Sequence, residues 1–305
     1  MQRMLIVRGG ALGDLILTLP AVAALQFANP DAQIEVLANS SYRSLLLQCA
    51  NLAATQALDA ASLAPLFSQA AKLPEQLAKW FASFDLVISY LHDPDRIFET
   101  NVRAAGVKDF IQGPWKICDG SHATRQLVEP LTTLGIDVTS FVPAFNFEPA
   151  RERPTSDVIA LHPASGSARK NWSIEKWMEI SDRLLKRGAK LLVITGESDQ
   201  TQRELLTARW SCAGVEFAHC LPLPEVVAQL SGRLFLGHDS GVSHLAAAAG
   251  AHCILLFGPT DPGVWAPLNE NVRIERAPDE NLANLAVAEV MDAIDQELMR
   301  IGIST

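Results

Sequence analysis

The stretch GHDSGVSHLAAAAG (237–250) sets small, hydroxyl-bearing and charged residues between an apolar run, LFLG, and an alanine-rich segment. Read as a strand, a turn and a helix, it makes Asp239 or Ser240 the helix cap. The backbone N–H groups of Ser240, Gly241 and Val242 then lie at the positive end, the environment that holds a phosphate. Gly241 removes a side chain where an anion would approach. His244 falls one turn in, as a ligand contact or as a satisfied interior group. The triplet DSG does not make a protease. An aspartic protease needs two carboxylates sharing a site, and a serine-hydrolase elbow needs G-x-S-x-G, which GHDSG lacks. No H-E-x-x-H or comparable cluster is present, so no metal site is expected.

Two further loops carry chemistry. HPASGSARKNW (162–172) combines the hydroxyls of Ser165 and Ser167 with the cations of Arg169 and Lys170. Backbone N–H groups, hydroxyls and an ammonium are what a diphosphate requires; a solvated loop with two surface charges is the plainer alternative. RGGALGD (8–14) places Gly9, Gly10 and Gly13 before Asp14. The spacing is neither G-x-G-x-x-G nor a P-loop. Asp14 stands at a helix N-terminus, either as a capping and dipole residue or as a catalytic carboxylate.

The elements that must position these loops alternate strand and helix. In the first half, MLIV (4–7), QIEVLAN (33–39) and FDLVISY (84–90) read as strands, with a helix following GD. Leu73, Leu77, Trp80, Phe81 and Phe84 fall at helical spacing, a stripe that suits a core better than a membrane surface. The pattern breaks at FEPARERPTSD (147–157), a linker by composition. It then resumes with strands at 158–163, 190–196, 215–218, 233–239 and 252–258, and a helical tail at 282–302. Such alternation implies parallel β-α-β units, whose ligands bind at the carboxyl ends of strands. The expected fold class is α/β, with an N-terminal domain at 1–150 and a C-terminal one at 151–305. The tail helix belongs to the second domain or packs back on the first.

The 305 residues suffice for two cores, and 49% hydrophobic with 19% charged residues is a globular composition. A formal net charge of -9 argues against nucleic-acid binding. Five scattered cysteines without C-x-x-C fit a reduced compartment, and neither a signal peptide nor a membrane span is legible. A cytoplasmic protein is expected, with peripheral contact at the inner membrane left open.

RGGALGDLILTLP, HPASGSARKNWSIEKW, GHDSGVSHLAAAAGA and LFGPTDP, in this order, resemble the ADP-heptose:lipopolysaccharide heptosyltransferases, glycosyltransferase family 9. The resemblance implies a GT-B fold: two Rossmann-like domains facing each other across a cleft, acceptor on the first and nucleotide sugar on the second. It implies inverting, metal-independent transfer with no cofactor beyond the nucleotide-sugar co-substrate, ADP-heptose, and a lipid-linked or other glycan acceptor. Asp14 would be the general base and Lys170 the contact to the donor phosphates. Ser165, Ser167, Asp239, Ser240, Gly241 and His244 would join the donor site, with Glu197 near the ribose and Thr260 and Asp261 in a further donor loop. Gly13 and four arginines, Arg43, Arg96, Arg103 and Arg125, are acceptor-side candidates, each also readable as surface charge. A nucleotide-sugar epimerase, a transferase with another donor or acceptor, and an inactive nucleotide-sugar-binding paralogue are the competing readings.

Overall fold

The computed structural model describes residues 2–48, 52–69, 72–143, 158–196, 200–210 and 214–303. The chain divides into two compact units, Met1–Phe147 and Glu148–Thr305, close to the expected boundary at 150/151. The linker expected at 147–157 lies outside the described residues.

The first unit runs β1 (Arg3–Val7), α1 (Leu12–Ala28), β2 (Gln33–Ala38), α2 (Arg43–Leu46), β3 (Ala54–Ala57), α3 (Glu75–Ala82), β4 (Leu86–Ser89), α4 (Ile97–Ala104), β5 (Asp109–Gln112) and α5 (Ala123–Val128). Its strands form one parallel sheet in the order β3-β2-β1-β4-β5. The central β1 is a run of buried apolar residues because helices cover both faces of such a sheet. β3 and β5 did not show in the sequence pattern. Both are edge strands, ATQA and DFIQ, with polar residues among few apolar ones.

The stripe at 73–84 is core. Phe81 and Phe84 are buried and Leu73, Leu77 and Trp80 pack against them, together with Phe98, Val102 and Phe110. Trp80 meets Phe81 and Phe84 edge-on, with ring centroids 4.7 and 5.1 Å apart. Among the described residues, no helix is long and apolar enough to cross a membrane.

The second unit runs β6 (Val158–His162), α6 (Ile174–Lys186), β7 (Lys190–Thr195), α7 (Gln200–Arg209), β8 (Val215–His219), α8 (Leu223–Leu230), β9 (Leu234–His238), α9 (Gly241–Ala248), β10 (His252–Phe257), α10 (Pro262–Trp265), β11 (Val272–Arg276) and α11 (Val287–Ile301). The parallel sheet is ordered β11-β10-β9-β6-β7-β8. The edge strand β11 is a further element the apolar pattern missed. The tail helix is shorter than expected, beginning at Val287. Its Val290, Met291, Ile294 and Leu298 are buried with Trp177, Ile180 and Leu184 of α6, so this apolar face is covered within its own unit.

Both sheets reverse direction of assembly at one place, between β1 and β4 in the first and between β6 and β9 in the second. The crevices there open at the carboxyl ends of these strands. A tight packing contact fixes the first sheet's carboxyl end. A Cβ on Gly113, just after β5, would stand 2.5 Å from Cε1 of Tyr90. Tyr90 is itself buried, its hydroxyl donating to the Leu127 carbonyl at 2.7 Å. Gly113→Ala should therefore cost about 1–3 kcal/mol, seen as a lower melting temperature than wild type in a thermal melt.

Candidate functional site

In the second unit, loops after β6, β9 and β10 converge. Lys170 lies in a 3-10 turn, Ala168–Lys170, and its Nζ donates to Asp239 Oδ2 at 2.6 Å. The Thr260 hydroxyl donates to the same oxygen at 2.8 Å. The Asp239 side chain is 7% exposed and that of Lys170 is 30% exposed. A carboxylate buried to this degree has to be paired, and these two donors pair it. The ammonium has three protons, so one bond to Asp239 leaves two directions for another anion.

Ser240 caps α9, its hydroxyl accepting from the Ser243 N–H at 3.3 Å. The Ser243 hydroxyl in turn donates to the His238 carbonyl. The first turn, beginning at Gly241, therefore starts at the strand's carboxyl end, with the positive end of the helix facing the loops there. His244 is buried on the same helix. Ser165 braces its own loop, its hydroxyl lying 2.9 Å from the Ser167 carbonyl and 2.7 Å from Asn171 Oδ1. Ser167 is exposed. Asp261 caps α10 by accepting from Gly263 N–H at 2.9 Å, so Thr260 is the member of that loop that reaches Asp239. Glu197 lies outside the described residues.

His238 carries a role the sequence did not announce. It is wholly buried at the end of β9, edge-on to Trp177 with centroids 5.3 Å apart. Its Nε2 accepts from the Trp172 N–H at 2.8 Å, pinning the loop that carries Lys170. Only the neutral ring can accept there. Burial, helped by nearby His162 and opposed by the Ala164 backbone, pushes its pKa down to about 3. In the sequence only its adjacency to Asp239 marks it.

In the first unit, Asp14 is the third residue of α1. Its Oδ2 accepts from Ala11 N–H at 2.8 Å, and its Oδ1 from Arg8 Nη2 at 3.0 Å. Arg8 Nε also donates to the Asp14 carbonyl at 3.2 Å. Here the cation is the buried partner: the Arg8 side chain is 5% exposed and that of Asp14 is 32% exposed. Burial lowers the Arg8 pKa, with Asp14 acting against it. Gly10 has φ +93°, and a Cβ there would stand 2.5 Å from Asp14 Oδ2, so both backbone and carboxylate require glycine. Tyr42 reaches over the loop, its hydroxyl 3.4 Å from the Gly10 carbonyl, and burial followed by Asp14 raises its pKa. The capping reading of Asp14 is thus realised, on a carboxylate that stays accessible. Arg8 and Tyr42 carried no spacing signal.

The acceptor-side arginines divide. Arg96 and Arg103 both grip Glu99, and Arg103 also donates to the Phe110 carbonyl at 3.1 Å. Arg125 lies over the Phe141 ring at 4.4 Å and lines a pocket of about 420 Å³ with Gln126, Thr132 and Asp137. Arg43 is exposed at the start of α2, and Gly13 is half-buried in the first turn of α1. Among the described residues, no group of three or more His, Cys, Asp and Glu is placed to hold a metal ion.

The buried neutral His238 makes stability depend on acid. Between its unfolded pKa near 6.5 and about 3, the unfolded chain takes up a proton that the folded one refuses. Stability should therefore fall with falling pH by up to about 1.4 kcal/mol per unit in that window. His238→Gln should flatten the loss between pH 7 and pH 5 in urea unfolding, while an unchanged slope would assign the loss elsewhere.

The sequence profile of glycosyltransferase family 9 (heptosyltransferase) matches residues 125–294, more than half of the chain. Lipopolysaccharide heptosyltransferase 1 of Escherichia coli K12 is 32% identical over 140 residues, which span 45% of this chain and 42% of that relative. Lipopolysaccharide heptosyltransferase 3 of Escherichia coli is 24% identical over 296 residues, 85% of this chain and 84% of the relative. Among solved structures, an E. coli heptosyltransferase with ADP superimposes with TM-score 0.76 at 20% identity, over 97% of this chain and 100% of that one. The family 9 glycosyltransferase of Veillonella parvula gives 0.79 at 17% identity, over 98% and 97%. These likenesses show the fold, which is GT-B with two Rossmann-like units. The profile match and the ordered motifs settle the family: the chain belongs to glycosyltransferase family 9.

Proposed function

We propose that this protein transfers heptose from ADP-heptose to a lipopolysaccharide core acceptor, with inversion at the anomeric carbon and without a metal. One observation carries the reading. Three loops distant in sequence bring Lys170, Asp239 and Thr260 into one hydrogen-bonded cluster beside the α9 N-terminus, where the second sheet changes direction.

In this reading the nucleotide diphosphate sits on the second unit. Lys170 and the N-terminal N–H groups of α9 take up the charge that develops as the diphosphate leaves. Asp239 does not touch the phosphates; it holds the Lys170 ammonium and the Thr260 hydroxyl in place. Ser165 and Ser167 shape the loop, and Glu197 contacts the ribose. On the first unit Asp14 is the base. The acceptor hydroxyl loses its proton to Asp14 as its oxygen attacks the anomeric carbon from the face opposite the diphosphate, and the bond to the diphosphate oxygen breaks. Arg8 and the Ala11 N–H orient the carboxylate for that transfer. A base so placed contributes roughly 10²–10⁴-fold.

Nucleotide choice tests the donor. In a thermal-shift series at matched concentrations, ADP should stabilise the protein while UDP, GDP and CDP should not; a preference for UDP or GDP would replace ADP-heptose as donor. Lys170→Ala should weaken the ADP shift. Asp14→Asn should lower turnover by at least about a hundredfold and leave the ADP shift intact. Turnover equal to wild type in that variant would remove Asp14 from the base role.

A further inference from the structure

The first unit carries an aromatic pair that the reaction chemistry does not use. His92, on the loop after β4, stacks on Trp115, on the loop after β5, with ring centroids 3.9 Å apart and planes 33° from parallel. Both are exposed, Trp115 to 51%. A lone exposed aromatic needs no explanation, but a stacked pair held on two fixed loops does.

Both loops are held firmly. Gln112 Nε2 lies 3.0 Å from the carbonyls of Ser89, Leu91 and Gly113, tying one loop to the other. Asp93, next to His92, accepts from the Phe98 and Glu99 N–H groups at 3.1 and 2.9 Å. Trp115 follows Gly113, which fits against Tyr90 only for want of a Cβ, and Pro114, whose ring fixes its own φ. The indole is thus presented at little entropic cost to whatever covers it.

Its position matters as much as its rigidity. Val7, Ser89 and Gln112 are register partners on adjacent strands β1, β4 and β5. Gly10, His92 and Trp115 each lie the same number of residues beyond those partners. The loop bearing Asp14, the His92 loop and the Trp115 loop therefore form a row at the carboxyl edge of the sheet, starting at its change of direction. From β1 to β5 that row spans about 10 Å, a length that one or two sugar rings fill.

We propose that His92 and Trp115 form a stacking platform for a sugar ring of the acceptor glycan. A pyranose turns C–H groups outward on one face, and these pack on the electron-rich face of an indole. Its hydroxyls stay at the rim, within reach of the His92 ring nitrogens and Trp115 Nε1. The platform orients the glycan along the row towards Asp14. This rests on the reading of the first unit as the acceptor side.

Isothermal titration of the full chain with de-acylated lipopolysaccharide core oligosaccharide, without donor, tests it. ADP is titrated into the same samples, and thermal melts confirm folding. Trp115→Ala should weaken oligosaccharide binding about tenfold or more, and Trp115→Phe, which keeps a planar ring, should restore most of it, both with wild-type ADP affinity. Equal oligosaccharide affinity in wild type and Trp115→Ala overturns the platform and leaves the transferase reading standing. Wild type that binds ADP but no oligosaccharide overturns the platform together with the acceptor assignment. Binding of oligosaccharide that depends on Trp115, without ADP binding, supports the platform and removes the donor reading instead.

Discussion

Two parallel strands can follow one another in sequence only through a crossover, and because all the strands run parallel their carboxyl ends lie on one edge of the sheet. Where the order of assembly reverses, neighbouring loops leave that edge in opposite directions and a crevice opens between them. In this chain the reversals fall between β1 and β4 and between β6 and β9. Three of the four motifs stand at one of them, RGGALGD after β1, HPASGSARKNW after β6 and GHDSG at the end of β9, and LFGPTDP follows β10, the neighbour of β9. Without that constraint, Lys170 and Asp239 would be two unrelated charges far apart in the chain.

Beside each reversal the described residues place an ion pair, Arg8–Asp14 and Lys170–Asp239, and the two pairs are built the opposite way round. In the first unit the cation is buried and the carboxylate is the more accessible member, Arg8 beneath Asp14. In the second the carboxylate is buried and the cation is the more accessible, Asp239 beneath Lys170. A buried charge is costly unless paired, so in each case the hidden partner commits the accessible one to a position. The result is an oriented carboxylate on one unit and an oriented ammonium on the other. In the proposed transfer, these groups would take the acceptor proton and stabilise the leaving diphosphate.

The surrounding packing serves the same end. His238 sits neutral among Trp177 and the loop ending at Trp172, where a charged imidazole could not accept from the backbone. Gly10 and Gly113 allow approaches that any side chain would block. Such over-determined loops lose little freedom when a ligand arrives, and that is a stability cost placed where binding gains from it.

The sequence by itself determined the α/β class, the division near residue 150, the central strands and the place of Asp14, Lys170 and the GHDSG turn. Those signals are local: apolar runs bury in the middle of a covered sheet, and caps and glycines mark where strands turn into helices. It did not show β3, β5 or β11, because edge strands are half solvated and need no apolar run. Nor could it show that Arg96 and Arg103 both pair with Glu99. Arg8 beneath Asp14, His238 behind the Lys170 loop and the His92–Trp115 stack were decided by tertiary structure alone. Each is a contact between loops or strands brought together by sheet order, and spacing along a chain carries no record of which strands become neighbours.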